Sequence, residues 1–307
     1  MIELDFIFET RANLGLMRSN TFRPRVRFCV LAGCFVLFWI QAGWAQVDFR
    51  VLDRDVIEKR LKEFSRNNAE RESIVKQRFE QAGCKAPNLA EQSLDRKFPP
   101  NVVCVVPGET DSVVLVGAHT DHITDFGEGV VDNWSSAALL PSLLYSLHSK
   151  ARHHTYTYVG FSAEEKGMLG SNYYARNLTS EQRGRIAAMI NMDSLGLGPT
   201  KVWASHADDT LLRDLESVAL MMKLPVEVVN VEDVGSTDSE SFASYGIPRI
   251  TLHSVTQPTL RILHTPNDRL SAIRMADYYD SYRLIAGYLA YLDNALKAAP
   301  TPAQTAH

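Results

Sequence analysis

Several things are missing from this 307-residue chain, and each absence narrows its class. No low-complexity block occurs and no motif returns at a fixed period, which excludes repeat architectures. Positive charge is not in excess. The 32 Lys and Arg stand against 36 Asp and Glu, a net charge of −4, so the basic footprint of a nucleic-acid binder is lacking. No Pro-, Gly- or Ser-rich linker divides the sequence, which argues against two separate domains. Cysteine is scarce at four. What remains, 45% hydrophobic and 22% charged residues, suits a globular protein with a real core.

The N-terminus stands apart. Arg18, Arg23, Arg25 and Arg27 precede an apolar stretch from Phe28 to Ile40, and small residues follow at Gly43 and Ala45. A basic region, a short apolar region and small residues at a cleavage site make a secretory leader, predicted over residues 1–45. The apolar stretch is shorter than the ~20 residues that a membrane span needs, so no membrane association is expected after cleavage and the expected location is periplasmic or secreted. Residues 46–307 would form the mature domain. Only Cys84 and Cys104 are left in it. In an exported chain they are expected to bridge, with a pair of buried thiols as the alternative.

Hydrophobic periodicity orders the remainder. Residues 53–83 read as helix in two pieces, broken at Asn67-Asn68. Strands are predicted at 101–106, 113–117, 155–161, 186–191, 200–204, 226–231 and 249–253. Helices are predicted at 135–149, 166–177, 208–222 and 271–297. Val113–Gly117 is continuously apolar, as a central strand buried on both faces would be. Strands alternating with helices predict a single three-layer α/β domain, its central, mostly parallel but mixed and twisted sheet flanked by helices.

Polar residues gather where these strands end. His119 and Asp121 follow the 113–117 strand. Asp132-Asn133 precedes the next helix. Glu164-Glu165 follows the 155–161 strand, Asp193 follows the 186–191 strand, and His264 lies in the loop before the last helix. Open α/β sheets place their ligand crevice at the carboxyl ends of strands. Each residue has an ordinary reading by itself: Asp132 as a helix cap, the glutamates as favourable charges at a helix start, Asp193 as a turn residue, His119 as a hydrogen-bonded loop histidine. Together, imidazoles and carboxylates form a donor set suited to zinc and its neighbours. His122, Asp125 and Glu128 read as solvated loop, His153-His154 as surface, and Trp134 as core.

Gly117-Ala118-His119-Thr120-Asp121, Val131-Asp132-Asn133, the run Ala163 to Ser171, Asn191-Met192-Asp193 and His264-Thr265 stand in the order used by co-catalytic di-zinc aminopeptidases. The chain resembles that exopeptidase family, of which glutaminyl cyclases are relatives. The resemblance implies one zinc held by His119, Asp132 and Asp193, and a second by Glu165, His264 and the same Asp132. It implies two Zn²⁺ per chain, or one in the cyclase relatives. Two such ions ~3.5–4 Å apart clamp the attacking water and the scissile carbonyl. Asp121 would support and polarise His119, and Glu164 would be the general base. The implied substrate is a peptide with a free N-terminus. Closure of an N-terminal glutamine is the second reading, and a non-catalytic binding module the third. The direct connection from Lys166 to Ser171 favours the peptidase, since cyclases insert a longer loop there. Two departures stand out. Leu263 occupies a position that is often tyrosine, and Thr237-Asp238-Ser239-Glu240-Ser241-Phe242 replaces a Ser-Asp-His pattern. Substrate side-chain preference and oligomeric state are not encoded in these motifs.

Overall fold

The computed structural model describes residues 2–3, 47–148, 150–231 and 235–297. The predicted leader therefore lies almost wholly outside the described residues. Eight strands form one sheet. They are β1 (Leu89–Gln92), β2 (Asn101–Val106), β3 (Val113–His119), β4 (Thr155–Phe161), β5 (Ile186–Met192), β6 (Thr200–Val202), β7 (Val226–Val228) and β8 (Arg249–His253). Their order is β1-β2-β4-β3-β5-β8-β6-β7. The central pairs β4/β3, β3/β5 and β5/β8 are parallel, whereas β1/β2, β2/β4 and β8/β6 are antiparallel. The open, mixed sheet matches the predicted α/β class.

The central strand is apolar because both of its faces are covered. Along β4 the pleat sends alternate residues to opposite sides. Tyr156 donates its hydroxyl to Leu289 O in the closing helix, and Tyr158 packs against Phe79. Val159 and Phe161 face the other way, into a cluster with Leu115, Met189, Ala175 and Phe242. Six main helices complete the layers: α1 (Arg54–Leu61), α2 (Asn68–Gln81), α3 (Leu140–Leu147), α4 (Leu169–Asn177), α5 (Asp209–Met222) and α6 (Met275–Ala295). Asn67 caps α2 by accepting the N–H of Ala69 and Glu70. Gly117 is required by close packing: a Cβ there would lie 2.4 Å from Phe161 Cε2. No helix among the described residues is long and apolar enough to cross a membrane.

The structure differs from the predicted elements at several points. β1 had no strong alternation and was not foreseen; it is an edge strand with exposed side chains. β3 runs on through His119, so that histidine ends the strand instead of following it. The stretch after Phe161 first makes a 3₁₀ turn, Glu164–Lys166, and α4 starts only at Leu169. Ala163, Gly167 and Met168 all have positive φ there, which helical periodicity cannot reveal. Cys84 and Cys104 are bridged, closing 20 residues of separation. Trp134 is core, its Nε1 donating to Leu61 O. His154 is buried, not surface, with its main-chain N–H on Asp293.

Candidate metal centre

The carboxyl ends of β3, β4 and β5 bring the predicted residues to one place. His119, the last residue of β3, is 1% exposed. Its Nδ1 lies 3.1 Å from the main-chain carbonyl of Asp121. A proton on Nδ1 satisfies that contact and leaves the Nε2 lone pair for the site. Nε2 lies 3.2 Å from Asp132 Oδ1, 3.8 Å from Asp193 Oδ1 and 3.9 Å from Glu164 Oε2. Asp132 does not cap a helix. Its other oxygen, Oδ2, lies 3.0 Å from His264 Nε2, which is also 3.1 Å from Glu165 Oε2. The two histidines thus stand on opposite oxygens of one carboxylate.

Around these residues, the backbone is held by side chains to which motif reading assigns no such role. Asn133, joined to Asp132 by a cis peptide, donates to Met192 O and accepts the N–H of Ser194, locking the Asp132 turn to the end of β5. Thr237 donates to Asp193 Oδ2 at 2.7 Å and accepts from Asn191. Asp268 is 2% exposed and accepts the N–H of Val131 and of Asp132. Asp238 is fully buried close by. A polar residue four places after His264 and a threonine before Asp238 carry no periodic signal, so only the fold exposes their roles. The loop predicted to be solvated is so only in part. His122 is 3% exposed and bonded to Asn68, and Glu128 accepts the N–H of Leu270, while Asp125 is exposed.

Asp121 meets His119 differently from the expectation. Its carboxylate oxygen is 3.7 Å from His119 Nδ1, farther than its own carbonyl. The two carboxylate oxygens instead accept the N–H of Glu164 and of Glu165, at 3.0 and 3.2 Å.

Electrostatics calls for positive charge here. Burial pushes the Glu164 carboxyl up to about 10, reinforced by Asp238, Asp193 and Asp132. Burial raises Glu165 as well and takes Asp238 to about 7. Burial alone would lower the His119 imidazole, but Glu164, Asp132 and Asp193 outweigh it and hold it well above its ordinary value. Hydrogen bonds to Asp132 and Glu165 raise His264 to about 10. So many acids in a low-dielectric site must either hold protons or be balanced by positive charge, which bound cations would supply.

The donor set fits such cations. His119, Asp132 and Asp193 offer ligand atoms within 4.8 Å of one another, and so do Asp132, Glu165 and His264. Glu165 Oε1 is buried with no hydrogen-bond partner, as an unsatisfied ligand atom would be. These residues open on a cleft that is also lined by Trp203, Val231, Val255, Leu260 and Leu263.

Residues 101–289, more than half of the chain, match the model of peptidase family M28. The chain belongs to that family. Among curated relatives of this M28 chain, leupeptin-inactivating enzyme 1 of Streptomyces exfoliatus is 30% identical over 143 residues, 46% of this chain and 32% of that protein. The match thus spans about a third of the relative's length. The fold is shared with BSAP, a zinc aminopeptidase from Bacillus subtilis (TM-score 0.57, 21% identity, 65% of this chain and 50% of that one). It is shared also with a glutaminyl cyclase from an Acidobacteriales bacterium (TM-score 0.64, 16% identity, 80% of this chain and 96% of that one).

Proposed function

We propose that this M28 chain is a zinc-dependent aminopeptidase that removes N-terminal residues from peptides. One observation carries the reading: Asp132 presents one oxygen to the His119 group and the other to the His264 group, so two donor sets that would each hold a cation have this carboxylate in common. His119, Asp132 and Asp193 would hold one ion, and Asp132, Glu165 and His264 the other. When bound, two such ions supply Lewis-acid polarisation of the scissile carbonyl and activation of water.

The chain's own groups do the rest. Glu164 stands within 3.9 Å of His119 but belongs to neither donor set. Its ionised form, which cations bound beside it would favour, could take a proton from the attacking water and return one to the leaving amine. Asp121 fixes the Glu164–Glu165 turn by its main chain, so base and ligand keep separate directions. The acids of the site can accept hydrogen bonds from a free α-ammonium group, which restricts cleavage to the N-terminus. Trp203, Val231, Val255 and Leu260 offer an apolar wall for the side chain of that residue. Leu263 lines the same cleft and carries no hydroxyl, so the carbonyl contact of a tyrosine there is either absent or made by another residue. We also read residues 1–45 as an export leader, which agrees with a bridged Cys84–Cys104 pair.

Glutaminyl-peptide cyclisation is the second reading, favoured by the shared fold. The direct Gly167–Leu169 passage from the Glu164 turn into α4 supports the peptidase over it. Aminoacyl 4-nitroanilides and N-terminal glutaminyl peptides, assayed side by side, decide between them. Hydrolysis of the anilides is expected. Cyclised glutaminyl product without hydrolysis would overturn the aminopeptidase reading in favour of the second.

A further inference from the structure

Arg71 lies on α2, outside the stretch that matches the family model. It is fully buried, and its hydrogen bonds all go to main-chain carbonyls. Nε donates to Ser65 O at 2.6 Å, Nη1 to Thr120 O at 3.4 Å, and Nη2 to Glu128 O and Gly129 O at 2.5 and 3.0 Å. Its guanidinium also sits 5.7 Å from the centre of the Trp134 ring. Thr120 separates His119 from Asp121. Glu128 and Gly129 lead into the turn that carries Asp132. One cation therefore ties together the two segments whose side chains must meet.

Asp268 grips the second segment with the opposite polarity. Its carboxylate accepts the N–H of Val131 at 2.7 Å and of Asp132 at 3.2 Å, and its carbonyl accepts the N–H of Glu128 at 2.7 Å. Carbonyls on a guanidinium and amides on a carboxylate fix a loop from both sides. Burying an arginine costs several kcal/mol, so hydrophobic filling alone would be better served by methionine or leucine.

We propose that Arg71 is a positioning residue that, opposed by Asp268, holds Asp132 in register with His119 and so sets the affinity of the site for its cations. The inference rests on the reading of His119 and Asp132 as ligands. Charge and positioning predict opposite signs. A fixed positive charge beside a dication site repels the ion, so its removal would tighten binding if charge were all that mattered. Loss of positioning weakens it.

The test uses metal-free full-length mature protein with Arg71→Lys, Arg71→Met and, as a control for general destabilisation of the same helix, Val75→Ala. Zinc affinity is measured by competition with a chromophoric chelator, and amide hydrogen exchange is followed at residues 119–122 and 128–134. Both Arg71 variants should bind zinc roughly 10- to 100-fold more weakly, with Arg71→Met the weaker, and should exchange faster at both segments before any metal is added. Val75→Ala should change zinc affinity by less than about twofold, since it leaves every hydrogen bond of Arg71 to the two segments in place. Arg71→Lys keeps the charge, so it remains informative if Arg71→Met fails to fold. Wild-type affinity or tighter in the Arg71 variants, or an equal loss in Val75→Ala, overturns the inference. Wild-type protein that takes up no zinc defeats the metal reading itself, whereas unchanged exchange at both segments defeats the positioning role whatever the metal does.

Discussion

Asp121 Oδ1 accepts the main-chain N–H of Glu164 at 3.0 Å. The second oxygen takes the N–H of Glu165, and the Asp121 carbonyl faces His119 Nδ1. One aspartate thus registers the end of β3 against the turn after β4, where the proposed base and the proposed ligand are neighbours in sequence. Ala163, just before that turn, is held at φ 55°, a left-handed conformation that costs of order 1 kcal/mol or more in a non-glycine residue. The carboxylate helps maintain it.

Replacing Asp121 by Asn turns one acceptor oxygen into an NH₂ group facing an N–H. Because both glutamates lose register, kcat should fall by roughly 10- to 100-fold with a smaller change in KM. Steady-state kinetics on an aminoacyl 4-nitroanilide check this, and an unchanged kcat would remove Asp121 from the account.

Glu164 and Glu165 should separate cleanly. Glu164→Gln should lose about 10²–10⁴ in kcat and keep its zinc content. Glu165→Gln should lose zinc affinity itself, because its Oε2 shares His264 with Asp132. Metal content by atomic spectroscopy alongside kinetics distinguishes them. Equal zinc loss in both variants contradicts the division of roles.

Much of this was readable in the sequence because strong local signals carry it. The apolar run of β3 marks the middle of the sheet, and strand ends in a parallel sheet gather polar residues. His119, Glu164, Glu165 and Asp193 are legible that way; Asp132, before a helix, and His264, in a loop, join them through the family resemblance, which also implies the grouping. The structural roles of Arg71, Asp268, Asn133 and Thr237 are not legible there, because each acts on main-chain atoms or on another side chain far away in sequence. Arg71 bonds the carbonyl of Thr120, 49 residues on, and nothing in the spacing of α2 distinguishes it from a solvated arginine. The predicted start of α4 at Lys166 falls three residues before the observed start at Leu169, because positive φ at Met168 leaves no compositional trace.

A pH effect on stability should come from Glu72, well away from the centre. Its side chain is inside the fold, Oε1 has no partner, and burial, aided by Glu91, takes its carboxyl up to about 7 from 4.5. The folded state therefore prefers the protonated form. The stability this contributes is fully present below pH 4.5 and is lost as pH rises through 7. Glu72→Gln should raise Tm by a few degrees at pH 8, about 1–3 kcal/mol, and have almost no effect at pH 4.5. Thermal denaturation at the two pH values tests it; the same shift at both would contradict the assignment.

The Cys84–Cys104 bridge closes a separation of 20 residues between the end of α2 and β2. Chain-entropy arguments give such a loop about 3 kcal/mol. The double serine variant should melt roughly 6–12 °C lower with kcat nearly unchanged, since neither sulfur lines the cleft. Melting curves with and without reductant check it, and a reductant-insensitive wild-type Tm would speak against the bridge.

The central claim, that five side chains sharing Asp132 hold two cations on which peptide hydrolysis depends, is tested most directly by zinc titration of chelator-stripped protein while 4-nitroaniline release from leucine 4-nitroanilide is followed. The account predicts no hydrolysis without metal, recovery complete at two zinc ions per chain, matching the two donor groups, and no recovery in Asp132→Ala. Hydrolysis that survives chelation, or that Asp132→Ala retains in full, would contradict it.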